Sequence, residues 1–230
     1  MAAREASEVL TEAQPGGRLS DLAYTRILEN LFDRRLPAGA FVSQNDLVKL
    51  LGIPVAPIRD ALRTLEVEGI LTIHPRSGIQ FVKPGLELTK STYQFRTIVE
   101  RAAVRTFAEF GDEDLIRELG DRHRAAAIAL DRQGLAPEVI EEIEALESLL
   151  HNSIIEILRN PLIDTSYRRM HNYLRLVRLD RKLTVPLAQR SNKEHLEIID
   201  ACARRDPDAA ETALLAHFNA ALQRHLGMFV

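Results

Sequence analysis

From residue 89 onward, apolar residues recur at intervals of three and four, and no segment alternates as a β-strand would. This spacing predicts six helices, at about 89–109, 112–132, 137–158, 161–181, 186–205 and 207–226. Asp112 suits the N-cap of the second helix, and Pro137, Pro186 and Pro207 fit first-turn positions, where a missing N–H costs nothing. We therefore expect an all-α antiparallel bundle in this part of the chain.

The N-terminal part of the chain has a different pattern. Ser20 is a candidate cap for a first helix. Ser43, followed three residues later by Asp46, forms a capping-box pattern for a second helix, and Gly52 suits the left-handed position after it. A third helix is predicted at about 55–68. Two short helices in this succession are typical of a helix-turn-helix.

The segment ILTIHPRSGIQFV (70–82) follows the third helix and carries β-branched residues on both sides of Pro75 and Gly78. It predicts a two-stranded hairpin, which would complete a winged helix-turn-helix. A small α+β packing unit without a ligand is the alternative. The predicted class is therefore mainly α, and the organisation has four parts: a flexible arm 1–18, a winged helix-turn-helix 19–83, a linker 84–88 and an all-α domain 89–230.

Composition limits the possible settings. The formal net charge of −3 gives no overall attraction for nucleic acid, so DNA binding must depend on local charge. The single cysteine, Cys202, excludes an internal disulfide and a cysteine-based zinc cluster. No apolar run approaches the ~18 residues that span a bilayer, and the N-terminal residues lack the apolar core of a secretory signal. We expect a cytoplasmic protein that does not contact membranes.

Polar side chains interrupt the apolar faces of three predicted bundle helices. Glu144, Glu147 and His151 share one face of the third helix, and His195 and His217 lie in the apolar stripes of the last two. A buried, unpaired carboxylate would cost several kcal/mol, so Glu147 needs a partner. Three histidines and a carboxylate can hold zinc, nickel, iron or manganese. The alternative is that each histidine is a separate core residue, since spacing cannot show whether the helices converge.

Arg96 and Glu100 lie one helical turn apart on the first bundle helix. Such a pair is either a surface ion pair of little energetic value or an arginine turned inward to hold a carboxylate ligand. The remaining histidines are assigned to surface, wing or helix-end positions: His74, His123, His171 and His225.

Several motifs together resemble the GntR-family transcription regulators of the FadR type, which carry an FCD effector domain. In the N-terminal part the matching segments are LPAGAFVSQNDLVKLLGI, PIRDALRTLEVEGIL and HPRSGIQFV. In the C-terminal part they are FRTIVERAAVRTFAE, ESLLHNSIIEILRNPLI and KEHLEIIDACARRDPDAAETALLAHF. The resemblance extends from about residue 19 to residue 226, and six bundle helices rather than seven are similar to the vanillate-repressor subgroup.

The resemblance implies a dimeric, ligand-responsive regulator, which we expect to be a repressor, that binds a palindromic operator in double-stranded DNA. It implies a divalent metal, with zinc favoured, on four residues: Glu147, His151, His195 and His217. It also implies a small organic acid as effector, with Arg96 and Glu100 as its binding residues. The family usually has aspartate at the position of Glu147, and the extra methylene changes the reach of that ligand.

The predicted recognition helix departs from the family at its start. Family members usually begin this helix with Ser/Thr-Arg-Thr-Pro, whereas this chain has Pro-Val-Ala-Pro at 54–57 and so lacks the capping hydroxyl and the first base-reading arginine. Direct reading would then depend on Arg59 and Arg63, with Val55 or Ala56 against thymine methyl groups. The candidate DNA contacts are Ser43, Gln44, Val55, Ala56, Arg59, Arg63, His74 and Arg76.

Two other functions are compatible with the same residues. The three histidines and the glutamate could activate water in a metal-dependent hydrolase or lyase, although no separate general base or nucleophile motif accompanies them. The chain could also be an interaction module whose winged helix no longer binds DNA.

Overall fold

The computed structural model describes residues 15–179 and 182–225. The chain divides into two compact units, with the boundary between Pro84 and Gly85. The predicted class is confirmed: a winged helix-turn-helix precedes a helical bundle. None of the described helices is long and apolar enough to cross a membrane.

Within residues 15–84, the part that the structure describes, the N-terminal unit has three helices and a small sheet. Its elements are α1 (Pro15–Phe32), β1 (Phe41–Val42), α2 (Gln44–Leu51), α3 (Val55–Val67), β2 (Leu71–His74) and β3 (Gly78–Phe81). The strands are antiparallel, in the order β1-β3-β2. Its core is formed by buried side chains from all three helices and from the hairpin, among them Ala23, Ile27, Leu31, Leu47, Ile58, Leu62, Leu65, Ile79 and Phe81.

Local sequence signals explain where α2 begins and ends. The Ser43 hydroxyl accepts a hydrogen bond from the Asp46 backbone N–H, and the Asp46 carboxylate accepts one from the Ser43 backbone N–H. Gly52 ends the helix in the left-handed conformation, with φ of 66°. The predicted capping box and helix end are therefore confirmed. In α3, by contrast, Pro54 occupies the N-cap and provides no side-chain hydrogen bond.

Two glutamates of the LEVEG segment attach α3 to its neighbours. Glu66 Oε1 accepts a hydrogen bond of 2.7 Å from the Ile73 backbone N–H, which joins α3 to the hairpin. Glu68 accepts one of 2.8 Å from the Tyr24 hydroxyl, which joins α3 to α1. These two bonds hold α3 in place against the hairpin and against α1.

The wing hairpin requires glycine at one position. Gly78 has φ of 118°, and a Cβ atom added there would lie 2.8 Å from the Val42 carbonyl oxygen. Only glycine lets β3 pass this close to β1 without strain. The strand β1 was not predicted, because two residues carry no readable alternation.

The C-terminal unit contains six helices among its described residues: α4 (Leu86–Phe110), α5 (Glu113–Gln133), α6 (Pro137–Glu156), α7 (Pro161–Leu179), α8 (Val185–Ala203) and α9 (Pro207–His225). The Asp112 carboxylate caps α5 by accepting from the Leu115 backbone N–H. Helix α4 packs against α6, α7 and α9, and α8 packs against α5 and α9. The core between them includes Val104, Phe107, Leu150, Ile154, Ile198, Cys202, Leu214 and Phe218.

Some predicted boundaries are wrong. Helix α1 begins at Pro15, so Ser20 lies inside it and does not cap it, and the last residues of the predicted arm are helical. The rest of that arm, 1–14, lies outside the described residues. Helix α4 begins at Leu86, which shortens the predicted linker. The other bundle helices begin and end within three residues of their predicted bounds, and 180, 181 and 226 lie outside the described residues.

Candidate metal centre and nucleic-acid interface

Three helices of the C-terminal unit bring four side chains together: Glu147 and His151 from α6, His195 from α8 and His217 from α9. One ligand atom from each lies within 4.8 Å of the others. His195 Nε2 is 3.2 Å from Glu147 Oε2, and His151 Nε2 is 3.5 Å from Glu147 Oε1. The Nε2 atoms of all three histidines are buried without a hydrogen-bond partner. Imidazole nitrogens without a hydrogen-bond partner, beside a carboxylate, are a donor set that suits a divalent transition-metal ion.

Carboxylates hold the opposite ring nitrogens of two of these histidines. His151 Nδ1 is 2.6 Å from Glu100 Oε2, and His217 Nδ1 is 2.8 Å from Glu194 Oε2. Arg224 in turn donates two hydrogen bonds, of 2.6 and 2.8 Å, to Glu194. Since a carboxylate accepts, the proton is assigned to Nδ1, which leaves the Nε2 lone pair facing the cluster. Metal-binding histidines are usually held in this way.

Burial favours the neutral form that a metal ligand requires. It lowers the pKa of His151, His195 and His217, and this effect exceeds the opposing attraction of the nearby carboxylates. The pKa of Glu147 is held well below its usual range: burial acts against ionisation, but the Arg178 guanidinium outweighs it. These shifts favour an ionised carboxylate and neutral imidazoles, the forms in which these side chains ligate a metal ion.

Glu100 lies at the centre of a buried hydrogen-bond network. Besides His151, it accepts hydrogen bonds of 2.8 Å from Arg96 Nε and from the Tyr167 hydroxyl. Although burial alone would raise its pKa, Arg96 and His151 hold the pKa of Glu100 at about 2. Arg96 and Glu100 have no exposed surface, so the surface-pair interpretation is wrong. Glu100 lies behind His151, where it orients the ring.

Two guanidinium groups retain unused donors beside the cluster. Both terminal nitrogens of Arg96 are buried without a partner, and its Cζ lies 4.5 Å from the centre of the Phe218 ring. Arg178 donates from one terminal nitrogen to Glu147 Oε1, and its Nε is buried without a partner. Both groups approach the same oxygen, since Arg96 is 3.8 Å from Glu147 Oε1. An anion could satisfy these donors.

Sequence reasoning missed the contribution of α7. Tyr167, His171, Leu174 and Arg178 follow one another at steps of four, three and four, so they share one face of that helix. Tyr167 contacts Glu100 and Arg178 contacts Glu147. The signal was a helical stripe that mixed aromatic, basic and apolar residues.

Two sequence interpretations are corrected here. His123 was assigned to the surface, but it is fully buried, and its ring meets the His195 ring edge-on at 5.4 Å. Its Nδ1 lies 2.7 Å from the Leu119 carbonyl oxygen. Glu144 was placed in the inward stripe of α6, but it is exposed and takes no part in the cluster.

Helix α3 presents the predicted DNA contacts on its exposed face. Val55, Ala56, Arg59 and Arg63 are all exposed and lie on one face of the helix. Arg63 is 3.7 Å from the carboxylate of Asp60, with both side chains mostly in solvent, so this ion pair is easily broken. Two cationic side chains on one exposed helical face suit contact with DNA.

The other predicted DNA contacts lie at the start of α2 and in the wing. Ser43 is exposed, and its hydroxyl also donates to Asp46 at 2.7 Å; Gln44 is half-buried. Arg76 is exposed in the hairpin turn, with φ of 67°. His74 is half-buried, and its Nε2 lies 3.1 Å from Gln80 Oε1.

Comparison with known families identifies the class of protein, the bacterial transcription regulators. Residues 19–81 match the bacterial regulatory proteins of the gntR family, and residues 91–220 match the FCD domain. The chain belongs to the GntR family and carries an FCD domain. It is a transcription regulator and not an enzyme.

Individual proteins show the same organisation at low identity. The regulator YdhC of Bacillus subtilis (strain 168) is 22% identical over 85% of this chain and 86% of its own length. The repressor RspR of Escherichia coli (strain K12) is 21% identical over 91% and 90%. A solved GntR regulator chain from Rhodococcus sp. RHA1, 21% identical, has a TM-score of 0.73 over 93% of this chain and 100% of its own. The similarity to this solved structure shows a shared fold.

Proposed function

We propose that this chain is a ligand-responsive repressor whose helical domain binds a divalent metal ion and a small organic acid. The observation that carries the proposal is the cluster of three unpaired Nε2 atoms and the Glu147 carboxylate, within 4.8 Å of one another. Three nitrogens and one oxygen suit zinc, our first choice, and nickel, iron or manganese accept similar ligands. Once bound, the ion supplies a fixed positive charge and an anchor for a ligand oxygen.

The organic acid would bind beside the metal ligands. The two unpaired terminal nitrogens of Arg96 form a planar fork that matches a carboxylate. Glu100 holds the Nε side of the same guanidinium, which fixes the direction of the fork. We therefore assign Arg96 to the effector and Glu100 to the positioning of Arg96 and His151.

The N-terminal unit would bind double-stranded DNA as part of a homodimer. In this proposal α3 enters the major groove, where Arg59 and Arg63 contact bases or phosphates, and Arg76 reaches DNA from the wing. A two-fold dimer reads a palindrome. Repression is supported by the relative RspR, a repressor. The effector regulates only if it binds the DNA-competent and DNA-incompetent arrangements with different affinity.

Metal analysis tests the cluster. The full-length protein would be stripped with a chelator, reloaded with zinc, desalted and analysed for bound metal. We expect the double variant His151→Ala/His195→Ala to lose the ion, while His74→Ala in the other unit retains it. Wild-type metal content in the double variant would reject the assignment.

DNA selection tests the reading surface. An operator would be selected from random duplexes with the full-length protein and used in mobility-shift titrations. We expect Arg59→Glu to abolish the shift, because it reverses a charge that faces DNA. Arg26→Glu reverses an exposed charge on α1 that is no candidate contact, and is the matched control. An unchanged shift with Arg59→Glu would instead favour the non-DNA-binding module.

A further inference from the structure

The side-chain charges of the candidate metal centre cancel one another, and this restricts the charge that a bound ligand can carry. Four buried or largely buried charged side chains surround the cluster within the described residues: Arg96, Arg178, Glu100 and Glu147. Glu100 accepts hydrogen bonds from three donors and Glu147 pairs with Arg178, so both are ionised. Arginine is always charged. Two positive and two negative charges therefore leave the metal-free centre neutral.

The pair behind His217 does not change this balance. Glu194 and Arg224 are joined by two hydrogen bonds and cancel each other. Histidines that ligate a metal are neutral. A divalent ion would therefore add two uncompensated positive charges to a site with little access to water. Uncompensated charge in such a place is costly, so a bound ligand has to supply negative charge.

Two separate guanidinium groups are available to receive that charge. Arg96, with no exposed side-chain area, offers both terminal nitrogens, and Arg178, with 30% of its side chain exposed, offers Nε. Arg178 therefore lies on the solvent side of the site and Arg96 on the inner side. Both guanidinium groups approach the same carboxylate oxygen, Glu147 Oε1, so both lie beside the same metal-ligand candidate.

We propose that the effector is a short dicarboxylate, with one carboxylate held by Arg96 beside the metal and the other held by Arg178. This inference rests on the proposed function, in which a metal and an organic acid occupy this site. It adds the charge and length of the acid and assigns Arg178 as the residue that selects for the second carboxylate. A monocarboxylate would leave the Arg178 Nε without a partner and one positive charge uncompensated.

Matched acids test the proposal. Succinate and butyrate have the same carbon skeleton, except that one carboxylate is replaced by a methyl group, and at neutral pH both carboxylates of succinate are ionised. Isothermal titration calorimetry of the zinc-loaded full-length protein would give the two dissociation constants. We expect succinate to bind roughly 10-fold to 100-fold more tightly, the range for hydrogen bonds to charged groups.

Two variants identify the source of the preference. Arg178→Met removes the charge and the donor, and we expect it to bring the two dissociation constants within about threefold of each other, by loss of that charge-assisted bond. Arg175→Met makes the same substitution at an exposed position of α7 and should keep the wild-type ratio. Zinc content is measured for each protein, because Arg178 also contacts Glu147.

The possible outcomes distinguish a failure of the dicarboxylate proposal from a failure of the proposed acid effector. Equal binding of succinate and butyrate by the wild-type protein would overturn the dicarboxylate proposal and leave an acid effector standing. A wild-type preference that survives Arg178→Met in a zinc-loaded variant would overturn the role of Arg178. If neither acid, nor the shorter pair malonate and propionate, binds the zinc-loaded protein, the proposed carboxylate effector itself fails.

Discussion

The buried ion pair between Arg96 and Glu100 gives a quantitative test of how the bundle holds its charges. Glu100→Gln keeps the shape of the side chain but removes its charge, so Arg96 becomes a buried cation without its main partner. Breaking a buried pair in this way costs about 3–5 kcal/mol. Because Glu147 at 3.8 Å and the Phe218 ring at 4.5 Å also attract Arg96, we expect the lower end, about 3 kcal/mol.

Urea unfolding of the chelator-treated protein measures this loss. Three of the four tyrosines, Tyr93, Tyr167 and Tyr173, lie in the C-terminal unit, so tyrosine fluorescence mainly follows that unit. In thermal unfolding, the same loss of about 3 kcal/mol should lower the midpoint of the Glu100→Gln variant by roughly 6–12 °C. The control is Glu142→Gln, which breaks a half-exposed pair with Arg122 and should cost less than about 1 kcal/mol.

A double-mutant cycle decides whether pairing is the cause. Arg96→Met leaves Glu100 with its hydrogen bonds from His151 and Tyr167 but without its cation. The double variant Arg96→Met/Glu100→Gln contains neither charge, so it should cost less than the sum of the single substitutions by about 2–3 kcal/mol. Additive losses, or a Glu100→Gln variant as stable as the Glu142→Gln control, would refute the reasoning.

Three further residues give separate tests. Burial lowers the pKa of His171 to about 4, so between about pH 6.5 and pH 4 only the unfolded chain gains this proton. The free energy of unfolding should therefore fall as the pH is lowered through this range, and His171→Leu should remove up to about 3 kcal/mol of that fall. Urea titrations at several pH values measure this, and an unchanged pH dependence in the variant would contradict it. Glu194→Gln should weaken zinc binding about 10-fold to 100-fold, because Glu194 holds the His217 ring. Competition with a chromophoric chelator measures the zinc affinity, and the control Glu197→Gln, at an exposed position of the same helix, should leave it unchanged. Equal zinc affinities of the two variants would exclude a positioning role for Glu194. Gly78→Ala should destabilise the N-terminal unit by about 1–3 kcal/mol, because its Cβ would meet the Val42 carbonyl; unchanged hydrogen exchange there would disprove this.

The sequence predicted most of the fold because its signals are local. The capping box at Ser43 and the left-handed Gly52 mark helix ends through neighbouring residues alone. Periodicity could not show, however, which residues of one apolar stripe are buried and which are exposed. Glu144 and Glu147 are three residues apart and only about 60° apart around the helix, whereas an apolar stripe spans about 100° or more. Packing against α8 turned Glu147 inward and left Glu144 in solvent.

The missed residues depend on contacts between helices. His123 and Arg178 each lie on a helix with many charged neighbours, where a solvated position is the usual outcome. Their burial follows from the packing of α5 on α8 and from the position of α7 beside α6. No spacing within α5 or α7 contains that information. The family resemblance indicated the four metal-ligand candidates but neither of these side chains.

The neutrality of the metal-free centre bears on what the metal is for. In small zinc domains the ion supplies the folding energy, and the chain is unfolded without it. Here a continuous apolar core surrounds the cluster, and the two buried arginines are already paired with two glutamates. The bundle therefore has no electrostatic need of the ion in order to fold. Adding the ion creates a charge that only an anion can neutralise, so metal and acid should bind with positive coupling. That argues for a metal that makes the site responsive to its effector, and for a chelated protein that keeps its helices while losing its response.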